Sequence, residues 1–134
     1  MRIAIMGAGG VGGYCGGQLA RAGHDVAFIT RGEHLRAILA GGLKLVGAAG
    51  EAVIAGAQAT DDPARLAPVD IVLFCVKLFD TEDAARAIVP LLSKGGTCIT
   101  LQNGVDGQHR IGAIVGNDRV MGGIAFVSAL IESP

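Results

Sequence analysis

The chain has 134 residues, 51% of them hydrophobic and 17% charged, with a mean hydropathy of +0.52; it is long enough to bury a core and too apolar to be disordered or a disulfide-stapled miniprotein. Its 11 basic and 12 acidic residues are intermixed and leave a net charge of −1, which excludes the basic stripe that nucleic-acid binding needs. The longest apolar run, Val120 to Ile131, is interrupted by glycine and serine and falls short of the ~20 residues that cross a bilayer.

Met1 leads directly into a strand-like run with no charged segment before an apolar one, so no secretory leader is expected and the localisation expected is cytoplasmic. Arg2 to Met6 is that first strand. The glycine-rich run from Gly7 breaks it, and Tyr14 to Ala22 reads as a helix closed by Gly23. Asp25 to Thr30 is the next strand. Arg31 to Ala40 places Leu35, Ile38 and Leu39 at helical spacing and ends at Gly41-Gly42, which supply the left-handed geometry a C-cap prefers. Leu43 to Val46 and Ala52 to Ala55, joined by Gly47-Ala48-Ala49-Gly50, suggest either a hairpin excursion or a strand pair at the sheet edge. Asp61-Asp62-Pro63 reads as an N-cap followed by proline in the first turn of a short helical segment before Pro68.

Ile71 to Val76 is apolar at every position, as in a central parallel strand covered on both faces. Asp80 or Thr81 caps a following helix whose buried face holds Ala84, Ala85, Ile88, Leu91 and Leu92. Gly95-Gly96 leads into a strand from Thr97 to Leu101, a helix from Asp106 to Val115 follows, and Arg119 to Val127 supplies a last strand. The repeated strand-helix-strand order predicts one α/β domain spanning residues 1–134, with a doubly wound, mostly parallel sheet of Rossmann type.

The 22 glycines are roughly twice the average usage, and eight of them fall between Gly7 and Gly23. Gly7-Ala8-Gly9-Gly10-Val11-Gly12 matches G-x-G-x-x-G between a predicted strand and a predicted helix. In that setting Gly7 permits the tight turn, Gly9 lets the backbone approach a pyrophosphate, and Gly12 allows close packing of helix on strand. The free amides of the helix start, with Gly10 and Val11 in the segment, then face the phosphates under the positive end of the helix dipole.

The second diagnostic position lies at the end of the second strand, where an acidic residue would accept hydrogen bonds from an adenosine ribose. It holds Thr30-Arg31. A guanidinium cannot accept those bonds but clamps a 2′-phosphate, so NADP(H) is the cofactor expected rather than NAD. The alternative is a solvated Arg31 with Glu33 turned back to the ribose, and it is the weaker because Glu33 falls in the predicted helix.

Two polar residues follow the remaining strands at the edge where open α/β sheets bind ligands: Lys77 after the run IVLFCV, and Asn103 after TCITLQ. The lysine can hold a ribose hydroxyl or polarise a carbonyl, and the asparagine can donate to a carbonyl or carboxylate. They are the catalytic candidates. Gln102 is a weaker one that can simply end the strand. His24, His34 and His109 lack metal spacing and a nucleophile partner, so surface or capping roles are expected. Cys15, Cys75 and Cys98 form no CxxC pair and read as reduced core thiols; no metal site is expected.

These elements together resemble the amino-terminal domain of the ketopantoate reductase (2-dehydropantoate 2-reductase) family. The resemblance rests on MRIAIMGAGGVGGYCGGQLARAGHDVAFITRG, on DIVLFCVKLFDT with its lysine, on TLQNGV with its asparagine, and on GGIAFVSALIESP. It implies that Gly7, Gly9 and Gly12 bind the pyrophosphate, Arg31 the 2′-phosphate, Lys77 the nicotinamide-side ribose and active site, and Asn103 both cofactor and substrate. The implied reaction is hydride transfer from NADPH to a branched 2-oxo acid, giving pantoate for coenzyme A biosynthesis. Members of the family continue into a helical carboxyl-terminal domain that carries the general acid. A chain ending at Pro134 is therefore expected to bind NADP(H) but to reduce its substrate poorly, and to leave exposed an apolar surface able to drive self-association. Two other readings stay open on the residues alone: an oxidoreductase for another 2-oxo acid or of the opine type, and a non-catalytic dinucleotide sensor.

Overall fold

The computed structural model describes residues 1–47 and 50–134. Among them run eight strands, β1 (Arg2–Met6), β2 (Asp25–Ile29), β3 (Leu43–Gly47), β4 (Gly50–Ile54), β5 (Gln58–Thr60), β6 (Val69–Phe74), β7 (Leu92–Thr100) and β8 (Val120–Gly122). Four α-helices accompany them: α1 (Gly10–Arg21), α2 (Gly32–Gly41), α3 (Thr81–Ile88) and α4 (Gly107–Val115). Six strands form one sheet in the order β5-β2-β1-β6-β7-β8, and every pairing in it is parallel. The chain steps outward from β1 to β2 and β5, returns to the other side of β1 with β6, and steps outward again. This is the doubly wound order, and its switch point lies between β1 and β6. No helix among the described residues is long and apolar enough to cross a membrane.

Side chains alternate across the sheet, so each strand feeds two cores. Ile3 and Ile5 of β1, with Val26 and Phe28 of β2, pack under Ile38 of α2 and Leu43 of the hairpin. Ala4 and Ile29 point the other way. There Val72, Phe74 and Cys98 meet Ala84, Ala85 and Ile88 of α3 and Ile111 and Val115 of α4. Within this second layer α3 and α4 are joined by Arg110, whose Nε and Nη2 donate to the Glu82 carboxylate at 2.7 and 2.8 Å.

Several boundaries differ from expectation, each for a tertiary reason. Helix α1 begins at Gly10, four residues before Tyr14, because close packing outweighs the weak helix propensity of glycine. A β-carbon on Gly16 would lie 2.6 Å from both Ile5 and Phe28. The pair β3 and β4 is a hairpin excursion outside the main sheet, with Gly47 opposite Gly50; Ala48 and Ala49 lie outside the described residues. Strand β5 was not expected, since three residues carry too little periodicity, yet Gln58–Thr60 pair with Ala27–Ile29 at the sheet edge. The short turn at Pro63–Arg65 does form, with the Asp62 carboxylate accepting from the Ala64 amide at 3.0 Å.

Strand β6 starts at Val69 and is not buried throughout: Asp70 is exposed, and Ile71 and Leu73 pack against the core under α2 and the hairpin but are only partly covered by it. Helix α3 stops at Ile88. Pro90 cannot donate the next helical hydrogen bond, so Leu91 falls in the turn and Leu92 opens β7, although both are buried as expected. Regular pairing of β7 with β6 resumes at Thr97 after an irregularity around Gly95-Gly96. Strand β8 ends at Gly122 instead of Val127, because beyond the bond from the Gly123 amide to Thr100 O the chain leaves the sheet. The segment that follows leaves Ile124, Phe126 and Leu130 exposed.

Candidate functional site

The glycine turn joins β1 to α1 at the switch point. The amides of Gly7 and Ala8 both donate to Ile29 O, at 3.1 and 3.2 Å, which draws the turn against the end of β2. Gly7 has φ +95°, and a β-carbon there would meet the Val76 amide nitrogen at 2.9 Å. Only glycine satisfies both conditions. Gly9 is the N-cap of α1, its backbone extended and its cap unfilled by any side chain. The amides of Gly10, Val11 and Gly12 open the helix and have no acceptor within it.

Whether a diphosphate fits can be judged from the space around these glycines. A β-carbon on Gly9 would meet nothing within 4 Å, so the backbone is open on that side, whereas the corresponding position on Gly12 is filled by the carbonyl of Gly7. Gly10 is approached by the chain itself, at Ala129 and Leu130, so the carboxyl-terminal segment passes over the first turn of α1. The turn thus presents unpaired amides and an open backbone edge, and it fits a dinucleotide's pyrophosphate.

Arg31 follows β2 as the N-cap of α2, and its Nη2 donates to Asp80 Oδ2 at 3.4 Å. Lys77 follows β6, exposed at the head of a 3-10 turn spanning Leu78–Asp80. Asn103 is exposed in the bend after β7. The two catalytic candidates lie at the ends of neighbouring strands, and one side chain ties their backbones together. The Gln102 Nε2 donates to Val76 O at 3.0 Å and to Thr81 Oγ1 at 2.9 Å, while its Oε1 accepts from Thr100 Oγ1 at 3.2 Å. Gln102 therefore does more than end a strand.

Two further residues take roles that local sequence does not reveal. His34 Nε2 lies 2.9 Å from Ala8 O; a carbonyl only accepts, so Nε2 carries the proton and pins α2 to the glycine turn. Its Nδ1 is buried with no partner among the described residues. Asp80 occupies the N-cap of α3 without making a capping bond, and its carboxylate serves Arg31 instead, while the Thr81 hydroxyl donates to Leu78 O at 2.8 Å. Of the cysteines, Cys98 is buried and Cys15 and Cys75 are half-buried, all as free thiols. Burial pushes Cys75 and Cys98 up to about 12, with the neighbouring thiols adding to the effect at Cys75. A β-carbon on Gly12 would sit 3.1 Å from the Cys75 β-carbon, so this thiol lies beneath the turn.

The family model described as "Ketopantoate reductase PanE/ApbA" matches residues 3–134. A 2-dehydropantoate 2-reductase of Mesorhizobium japonicum is 32% identical over 155 residues, covering 100% of this chain and 47% of that protein. One from Pyrococcus abyssi is 34% identical, covering 100% of this chain and 43% of that protein. Among solved structures, a PanE/ApbA family ketopantoate reductase from Ralstonia eutropha superposes with a TM-score of 0.93 at 40% identity, over 100% of this chain and 44% of that one. D-mandelate dehydrogenase bound to NADH and anilino(oxo)acetate superposes with a TM-score of 0.90 at 26% identity, again over 100% of this chain and 44% of that one. The chain spans less than half the length of the relatives it matches. On the match across nearly its whole length, the chain belongs to the ketopantoate reductase PanE/ApbA family.

Proposed function

We propose that residues 1–134 are the NADP(H)-binding domain of a two-domain 2-dehydropantoate 2-reductase, an enzyme converting ketopantoate to pantoate in coenzyme A biosynthesis. The reading is supported most by the open amide edge of the glycine turn lying beside the strand ends that carry Lys77 and Asn103.

In this reading the amides of Gly9, Gly10, Val11 and Gly12 hold the pyrophosphate, with Gly7 forming the turn that aims them. Arg31 grips the adenosine 2′-phosphate. When bound, NADPH supplies the hydride that reduces the substrate's keto carbon. Lys77, an exposed ammonium, donates to the nicotinamide-side ribose and to the substrate's oxygen. Asn103 donates its amide to the cofactor and to the 2-oxo acid, and Gln102 keeps the two backbones in register. The proton for the new alkoxide comes from a general acid in the rest of the protein, a positioned donor contributing about 100- to 10,000-fold. Catalysis belongs to the full-length protein, self-association is ascribed to the apolar surface this chain leaves exposed at Ile124, Phe126 and Leu130, and the cytoplasm is the compartment proposed.

A second reading, favoured by the likeness to an NADH-bound D-mandelate dehydrogenase, assigns NADH and a different 2-oxo acid. Titration of the chain with NADPH and NADH, repeated for Arg31→Ala, separates the two. Loss of charge-assisted hydrogen bonds should weaken NADPH by about 10- to 100-fold and leave NADH nearly unchanged. Equal losses for both would overturn the 2′-phosphate role. Oxidation of NADPH by the full-length protein against a panel of 2-oxo acids then tests the substrate.

A further inference from the structure

Arg31 and Asp80 emerge on opposite sides of the glycine turn. One follows β2 and the other follows β6, and β1 lies between those strands. The 3.4 Å contact from Arg31 Nη2 to Asp80 Oδ2 therefore carries the guanidinium across the mouth of the turn. Arg31 is 82% exposed and Asp80 34%, and neither side chain caps its own helix. The contact also differs from the other long-range arginine pair on this edge: Arg110 meets Glu82 with two nitrogens on two oxygens, at 2.7 and 2.8 Å. That fork fixes a geometry, whereas a single long contact on an exposed arginine holds a charge without orienting it.

We propose that Asp80 is a specificity-determining residue that acts through Arg31: it is a resident anion which an incoming adenosine 2′-phosphate must displace. The inference rests on the reading of Arg31 as the 2′-phosphate ligand. With Asp80 in place, part of the guanidinium's attraction is already spent, and a carboxylate stays near the site of a dianionic phosphate. Both effects weaken binding of a 2′-phosphorylated nucleotide and leave an unphosphorylated one untouched. The preference for NADPH over NADH is thereby held below what Arg31 alone would give.

The test uses the 134-residue chain, with adenosine 2′,5′-bisphosphate and 5′-AMP as probes beside NADPH and NADH. Asp80→Asn should tighten the bisphosphate and NADPH by about three- to tenfold and shift 5′-AMP and NADH by less than about twofold. Asp80→Ser, which keeps a side-chain acceptor at the helix N-cap, should do the same. The gain should shrink at high salt and vanish in the Arg31→Ala background. No gain, a loss, an equal gain for both probes, or a gain that survives without Arg31 would overturn the role of Asp80. If Arg31→Ala abolishes discrimination while Asp80→Asn adds none, only the Asp80 proposal falls. If Arg31→Ala leaves discrimination unchanged, the 2′-phosphate reading falls and the Asp80 proposal with it.

Discussion

Gly12 lies directly over the carbonyl oxygen of Gly7, so close that a β-carbon on the one would overlap the oxygen of the other. Gly9, between them, faces open space. Two glycines of one motif are thus required for different reasons, and alanine should separate them. Gly12→Ala must push α1 off the turn, costing about 1–3 kcal/mol of stability as overpacking does. Gly9→Ala, at a negative φ and with no neighbour to strike, should alter stability by less than about 0.5 kcal/mol. It should nonetheless weaken NADPH by about tenfold or more, because its methyl fills the space a diphosphate would occupy. Urea melts and nucleotide titrations of both variants check this; a Gly9→Ala protein that binds normally contradicts the placement of the phosphates.

Gln102 joins the ends of β6 and β7 to the start of α3 through Val76, Thr81 and Thr100. Gln102→Leu keeps the size but leaves the Val76 carbonyl without its donor and the Thr100 hydroxyl without its acceptor, and should cost about 1–3 kcal/mol. Asn103→Ala, one residue on and exposed, should change stability by less than about 0.5 kcal/mol. Denaturant midpoints of the two variants, measured side by side, distinguish a structural hub from a residue placed for ligand. Equal effects would remove that distinction.

Hydrogen bonds from the Arg110 guanidinium first, then a hydrogen bond from the Glu82 backbone, with the charges of Arg110 and Arg86 in addition, hold the Glu82 carboxyl well below its ordinary 4.5, at about 2. A carboxyl lowered by folding adds stability above its ordinary value and loses it as pH falls toward the folded one. The α3–α4 clamp should therefore act fully above about pH 4.5 and fade between there and pH 2. Glu82→Gln should be less stable than the wild type at neutral pH, with the gap closing as pH approaches 2. Denaturant midpoints of both proteins from pH 7 down to 2 measure this, and a gap independent of pH would show that Arg110 does not set the titration of Glu82.

The doubly wound class was legible from the strand-helix alternation along the whole chain, and the glycine turn and the strand-end positions of Arg31, Lys77 and Asn103 because each is written within a dozen consecutive residues. Apolar runs, the glycines that end them and the polar residue that follows are local patterns, and a parallel α/β sheet puts every such strand end on one edge. The three-residue β5 was not legible, nor was the early start of α1 at Gly10, since there packing against Ile5 and Phe28 overrides propensity. Neither were the partners of the site. His34 reaches Ala8 across 26 residues, Gln102 reaches Val76 across 26, and Arg31 reaches Asp80 across 49. No periodicity encodes a hydrogen bond between side chains so far apart; it exists only once the crossovers have brought β2, β1, β6 and β7 side by side.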